Sequence, residues 1–119
     1  KERFFLQALQ FKPKTPFQGC IAVECLFFMP RPKKHYGTGK NSHILKPSAP
    51  YEHITTPDAD NLAKFVMDAL GTGNRFFGDD KQVADLRSRK LYANNKDNER
   101  TLVWIYQIDK EDIEQWNIS

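Results

Sequence analysis

Four aspartates stand where they could hold a divalent cation. Asp58 and Asp60 are separated by one residue, and Asp79 and Asp80 are adjacent some twenty positions later. In an extended stretch, side chains two apart point the same way, so Asp58 and Asp60 can address one space. Magnesium takes oxygen ligands in an octahedral array, usually one or two carboxylates with water and substrate phosphate. Two aspartates from one loop and one or two from another meet that need, and they also suit a two-metal arrangement.

A plainer reading uses the same residues. Asp58 or Asp60 could cap a helix, worth about 1 kcal/mol, with help from the helix dipole. Lys64 with Asp60 could be an ordinary i,i+4 surface pair worth only a few tenths of a kcal/mol, about the usual value. Capping accounts for one aspartate. It leaves the second, and the pair at 79 and 80, unexplained.

The elements that must position these groups follow from periodicity. Residues 60–70 (DNLAKFVMDAL) carry Leu62, Phe65, Val66, Ala69 and Leu70 as one apolar stripe, which predicts a helix. Pro57 limits it backwards, and Gly71 or Gly73 can end it in left-handed geometry. A link after the helix is expected to double back and bring Asp79 and Asp80 beside its start. Residues 20–29 (CIAVECLFFM) are apolar on both faces except at Glu24, the pattern of a central strand covered on both sides. Further strands are predicted over 82–92 and 101–108, joined as a hairpin by the polar run Asn94–Arg100. A short helix is expected at 1–10 and another in KEDIEQW, capped by Asp109. The sum is one small α+β domain over 1–119, a two-layer arrangement of a mixed sheet packed with helices.

Between Pro30 and Thr56 lies a proline-rich stretch with Lys33, Lys34, Lys40 and Lys46, interleaved with His35, His43, His53, Tyr36 and Tyr51. It reads as a long irregular loop, and loops longer than about 15 residues in a compact domain are usually functional or disordered. Basic residues among aromatics suit contacts to nucleic-acid backbone and bases; a solvated excursion fits the composition equally well. Lys90, on the predicted second strand, joins the candidate phosphate contacts. None of the three histidines has metal-ligand spacing with a partner.

Composition frames these choices. Hydrophobic residues at 39% and charged residues at 28% suit a soluble globular domain and exclude wholesale disorder. Residues 1–57 carry nine Lys/Arg against three Asp/Glu, a net of +6, whereas 58–119 carry nine against twelve, a net of −3. A basic part to hold a polyanion beside an acidic part to hold metal is what phosphodiester cleavage needs. The longest apolar run is too short for a membrane span of about 20 residues. Cys20 and Cys25, five apart on a strand, face opposite ways and read as free thiols in a reducing cytoplasm. The chain begins at a lysine, so a truncated N-terminus is expected.

The run Pro57-Asp58-Ala59-Asp60-Asn61-Leu62-Ala63-Lys64, followed by Asp68-Ala69-Leu70 and then Asp79-Asp80-Lys81-Gln82-Val83, closely resembles the RusA family of Holliday junction resolvases. The family's hallmark is a PDxDN(L)xxK run and, after a helix, a DDxQ[VI] segment. The likeness is tightest from Pro57 to about Leu86. It departs from the family at Thr56, where a basic residue often stands. The resemblance implies a small homodimeric α+β endonuclease, often carried by prophages, that nicks four-way DNA junctions symmetrically with magnesium or manganese. Carried over by position, Asp58, Asp60 and Asp80 match the metal ligands, Asp79 is a neighbour of less certain role, and Lys64 matches the lysine. The strand at 20–29 and the aromatics Phe76 and Phe77 are candidates for the dimer interface. Two other readings stay open: a non-catalytic homologue that binds branched DNA, and a cation-stabilised domain with no nucleic-acid partner.

Overall fold

β1 (Ile21–Met29) is the strand on which everything else is built. Its alternate residues Ile21, Val23, Cys25 and Phe27 are buried and pack with Val66, Leu70, Phe76 and Phe77 into the core. In a computed structural model describing residues 12–117, the elements run β1, α1 (Ala59–Gly71), β2 (Val83–Tyr92), β3 (Arg100–Gln107) and α2 (Lys110–Trp116). The sheet has the order β2-β1-β3, with β1 parallel to β2 and antiparallel to β3. A mixed three-stranded sheet with helices makes this the α+β class expected. The helix predicted over 1–10 lies outside the described residues.

Three expectations are corrected by this topology. β2 and β3 do not form a hairpin, because β1 sits between them and takes the hydrogen bonds of both. The turn at 94–100 therefore crosses the end of β1 rather than reversing between neighbours. The second face of β1 is only half-covered: Glu24, Leu26 and Phe28 are intermediate, and beside them Trp104 and Tyr106 are 46% and 43% exposed. Glu24 is held there by Arg87 at 3.8 Å and Arg89 at 3.7 Å, charges that a fully dry layer would not tolerate. Phe76 and Phe77 are core residues, so they are not available as a surface for a second copy.

α1 buries Ala63, Val66, Ala69 and Leu70, with Leu62 and Met67 half-buried; Phe65 lies at the rim of the stripe. Its last residue, Gly71, remains helical. Gly73, at φ 69°, and Asn74, at φ 53°, are the left-handed residues that turn the chain away. Thr72 secures the end by donating from Oγ1 to the Asp68 carbonyl at 3.0 Å. Both cysteines are free; burial pushes the Cys25 thiol up to about 11.

Candidate functional site

The start of α1 is fixed against β2 by two side chains. Ser88 Oγ donates to the Ala59 carbonyl at 2.7 Å. Lys90 Nζ donates to the carbonyl of Pro57 at 2.8 Å and to that of Thr55. These bonds fix the backbone on both sides of Asp58. The Asp58 side chain, in the N-cap position, accepts no capping hydrogen bond. That sets it apart from Asp79, Asn95 and Asp109, which occupy N-cap positions elsewhere in the chain and do accept from backbone N–H groups. Capping is thus not what holds Asp58 in place. Asp60 and Lys64 are exposed on the first turns of the helix, and no ion pair joins them.

The second acidic segment sits at the other end of the helix. Gln82 organises it through all four positions of its amide. Oε1 accepts from the N–H groups of Gly78 and Asp79 at 2.8 and 3.0 Å, and Nε2 donates to the carbonyls of Phe17 and Gly19 at 2.9 and 3.0 Å. Asp79 Oδ1 accepts from Lys81 N–H at 2.8 Å, and Asp79 and Gln82 form a capping box. Asp79 is therefore a structural cap. The Asp80 side chain is exposed and makes no hydrogen bond or ion pair among the described residues. It lines an open cavity of about 280 Å³ with Gly71, Asn74, Phe77, Gly78 and Asp79.

A Cβ at Gly71 would stand 3.6 Å from Asp80 Oδ1, so Asp80 belongs to the C-terminal end of α1. Asp60 lies eleven residues earlier in that helix, which at 1.5 Å per residue is about 16 Å along the axis. The link after α1 does not return Asp79 and Asp80 to the helix start. Instead it feeds directly into β2, whose far end, at Ser88 and Lys90, meets the helix start. Among the described residues no three His, Cys, Asp or Glu side chains come together to hold a metal ion. Within one chain the site is two half-sites: Asp58, Asp60 and Lys64 at one end of α1, Asp80 at the other.

The basic stretch has an interior that composition did not reveal. Arg31 is buried and donates from Nε to the Ala93 carbonyl at 2.7 Å and from NH1 to the Pro50 carbonyl at 2.6 Å. Its guanidinium stacks over Tyr92, 5.1 Å from the ring centroid. His35 and His53 are buried too, each with its ring centroid 4.8 Å from that of Tyr92. Burial is the first cause that lowers both histidines below their ordinary 6.5; Arg31, Lys34 and Lys46 add to it at His35, and Lys90 at His53. Lys33, Lys34, Lys40 and Lys46 project from this packed loop into solvent. Lys90 differs from them, since its ammonium is committed to the loop that carries Asp58.

Comparison with known proteins supplies a family. The family model described as "Endodeoxyribonuclease RusA" matches residues 2–106. A Bacillus subtilis (strain 168) protein, "Uncharacterized protein YqaN", is 32% identical over 98 residues, covering 78% of this chain and 63% of that relative's length. No solved structure matches. No helix among the described residues is long and apolar enough to cross a membrane. A family match over most of the sequence settles the affiliation: the chain belongs to the RusA endodeoxyribonuclease family.

Proposed function

We propose that this protein is a metal-dependent Holliday junction resolvase, acting as a homodimer that nicks two opposed strands of a four-way DNA junction. One observation carries the reading. Among the described residues the side chains of Asp58, Asp60 and Asp80 are left without partners, while the polar groups around them (Ser88, Lys90, Asp79 and Gln82) all hold backbone. A carboxylate that stabilises the fold has a donor; these three are exposed and open. Their hard oxygen donors fit magnesium or manganese.

The half-sites also argue for two copies. Ligand bonds to magnesium are about 2.0–2.1 Å, so carboxylates roughly 16 Å apart along a helix cannot share an ion. A two-fold pairing that sets the start of α1 in one copy beside the Asp80 segment of the other makes two complete sites, matched to two equivalent strands. In that arrangement Asp58, Asp60 and Asp80 would hold the metal, with Asp79 capping the segment that presents Asp80. When bound, the metal supplies charge neutralisation at the scissile phosphate and a more acidic water. Lys64 stabilises negative charge developing on the phosphate oxygens. Lys33, Lys34, Lys40 and Lys46 hold the flanking backbone, each through salt-sensitive contacts.

The test is cleavage of a labelled four-way junction against linear duplex, with magnesium, manganese or chelator. Paired, metal-dependent nicks near the crossover are expected. Asp60→Asn should keep junction binding and lose cutting, because it removes a ligand and little shape. Tight binding without cutting by the unaltered chain would instead identify a binding-only homologue.

A further inference from the structure

Ile54 is the most exposed large hydrophobic residue among those described, at 88%. Its backbone is nevertheless fixed on every side. Tyr92 N–H donates to the Tyr51 carbonyl at 3.0 Å, Glu52 bridges to Leu91, and Lys90 ties down the carbonyls of Thr55 and Pro57. His53, the preceding residue, is 7% exposed and packs on Tyr92. A branched aliphatic side chain is thus carried into water on anchored backbone, four residues before Asp58. Scattered apolar residues on a surface need no explanation. One fully presented on a loop that Lys90 anchors on the way to Asp58 does.

We infer that Ile54 is a wedge that enters the base stack at the branch point and unstacks the pair next to the scissile phosphate. Apolar side chains of this kind, isoleucine among them, part base steps and kink the helix in proteins that bend DNA. A branch point is where stacking is already interrupted, so a short aliphatic projection enters there at lower cost than in continuous duplex. Ile54 would therefore be a positioning and specificity residue, selecting junction over duplex, while the carboxylates do the chemistry. The inference rests on the nuclease reading above.

The test compares the wild type, Ile54→Ala and Ile54→Met on two junctions, one fully paired and one with unpaired bases at the branch point. Ile54→Ala should cut the paired junction roughly tenfold or more slowly, because the base step must then part without the wedge. It should cut the pre-opened junction at the wild-type rate, and Ile54→Met should resemble wild type on both. In an Asp60→Asn background, 2-aminopurine at the branch point should brighten on binding with Ile54 present and stay dim with alanine. Equal slowing on both junctions, or none on either, overturns the wedge while leaving the nuclease intact. Conversion of a dimer to a monomer by Ile54→Ala, read by light scattering, also overturns it and assigns Ile54 to a contact between copies. A wild type that cuts neither junction removes the nuclease reading and the wedge with it.

Discussion

Replacing Gln82 by alanine should destabilise the fold and detach Asp80 from its fixed position. The amide makes four hydrogen bonds that join three otherwise separate stretches, at Phe17–Gly19, Gly78–Asp79 and the start of β2. Three of the four lie at exposed positions and only the bond to Phe17 is part-buried, so each belongs at the lower end of the usual range. At about 0.5–1 kcal/mol apiece the loss is about 2–4 kcal/mol. For a domain of this size each kcal/mol lowers Tm by about 4–8 °C, so the drop should be at least about 8 °C. Urea denaturation supplies the free energy directly, and an unchanged slope would show that the unfolded state is not responsible. Gln82→Glu sharpens the test: it keeps an acceptor for Gly78 and Asp79 but turns an anionic oxygen towards the Phe17 and Gly19 carbonyls. A loss below about 0.5 kcal/mol for alanine, within the range of an ordinary surface substitution, would refute the reasoning.

Other consequences follow from the packed loop and from Lys90. Arg31→Lys keeps the charge but reaches only one of the two carbonyls, at Ala93 and Pro50, and should cost about 2–3 kcal/mol by denaturation. Stability should rise with pH around the histidine range. His35 and His53 are lowered in the fold from an ordinary 6.5, so below that value the unfolded chain binds protons the native one resists. Their contribution is complete above pH 6.5 and is lost as pH falls below it; urea midpoints across that range check the sign, and His53→Gln should flatten the dependence. Lys90→Met should slow junction cleavage more than it weakens binding, because the ammonium holds the Thr55 and Pro57 carbonyls. A fall in affinity, with the salt slope reduced by about one, would make Lys90 a phosphate contact instead.

Much of the fold was legible because its core elements bury one regular face. The 3.6-residue stripe of α1 and the apolar run of β1 survive in the structure with boundaries shifted by a residue or two. Strand order was not legible, since a polar turn between two strands reads as a hairpin whether or not a third strand lies between them. Arg31 was hidden for a similar reason. One arginine in a proline-rich basic run looks solvated, and only the fold supplies the carbonyls of Ala93 and Pro50 that make its burial tolerable. Gln82 stands in the sequence as one residue of the Asp79–Val83 run, and nothing there reveals that its amide ties Gly78 and Asp79 to the remote Phe17 and Gly19 carbonyls. The separation of the acidic half-sites was implicit in the sequence. A helix of thirteen residues carries its two ends about 20 Å apart, and Asp80 stays at the C-terminal end because β2 begins only three residues after it.

That separation gives the most direct test of the proposed site. Asp60→Asn and Asp80→Asn variants should each be inert towards a four-way junction in magnesium. Co-expressed and purified as a mixture, they should regain cutting. A mixed dimer has one site with both lesions and one with neither, so it should nick a single strand per binding event. Single-strand nicks from the mixture, absent from either variant alone, are the predicted result. A mixture as inert as its components, beside a wild type that cuts, would contradict a site shared between two copies.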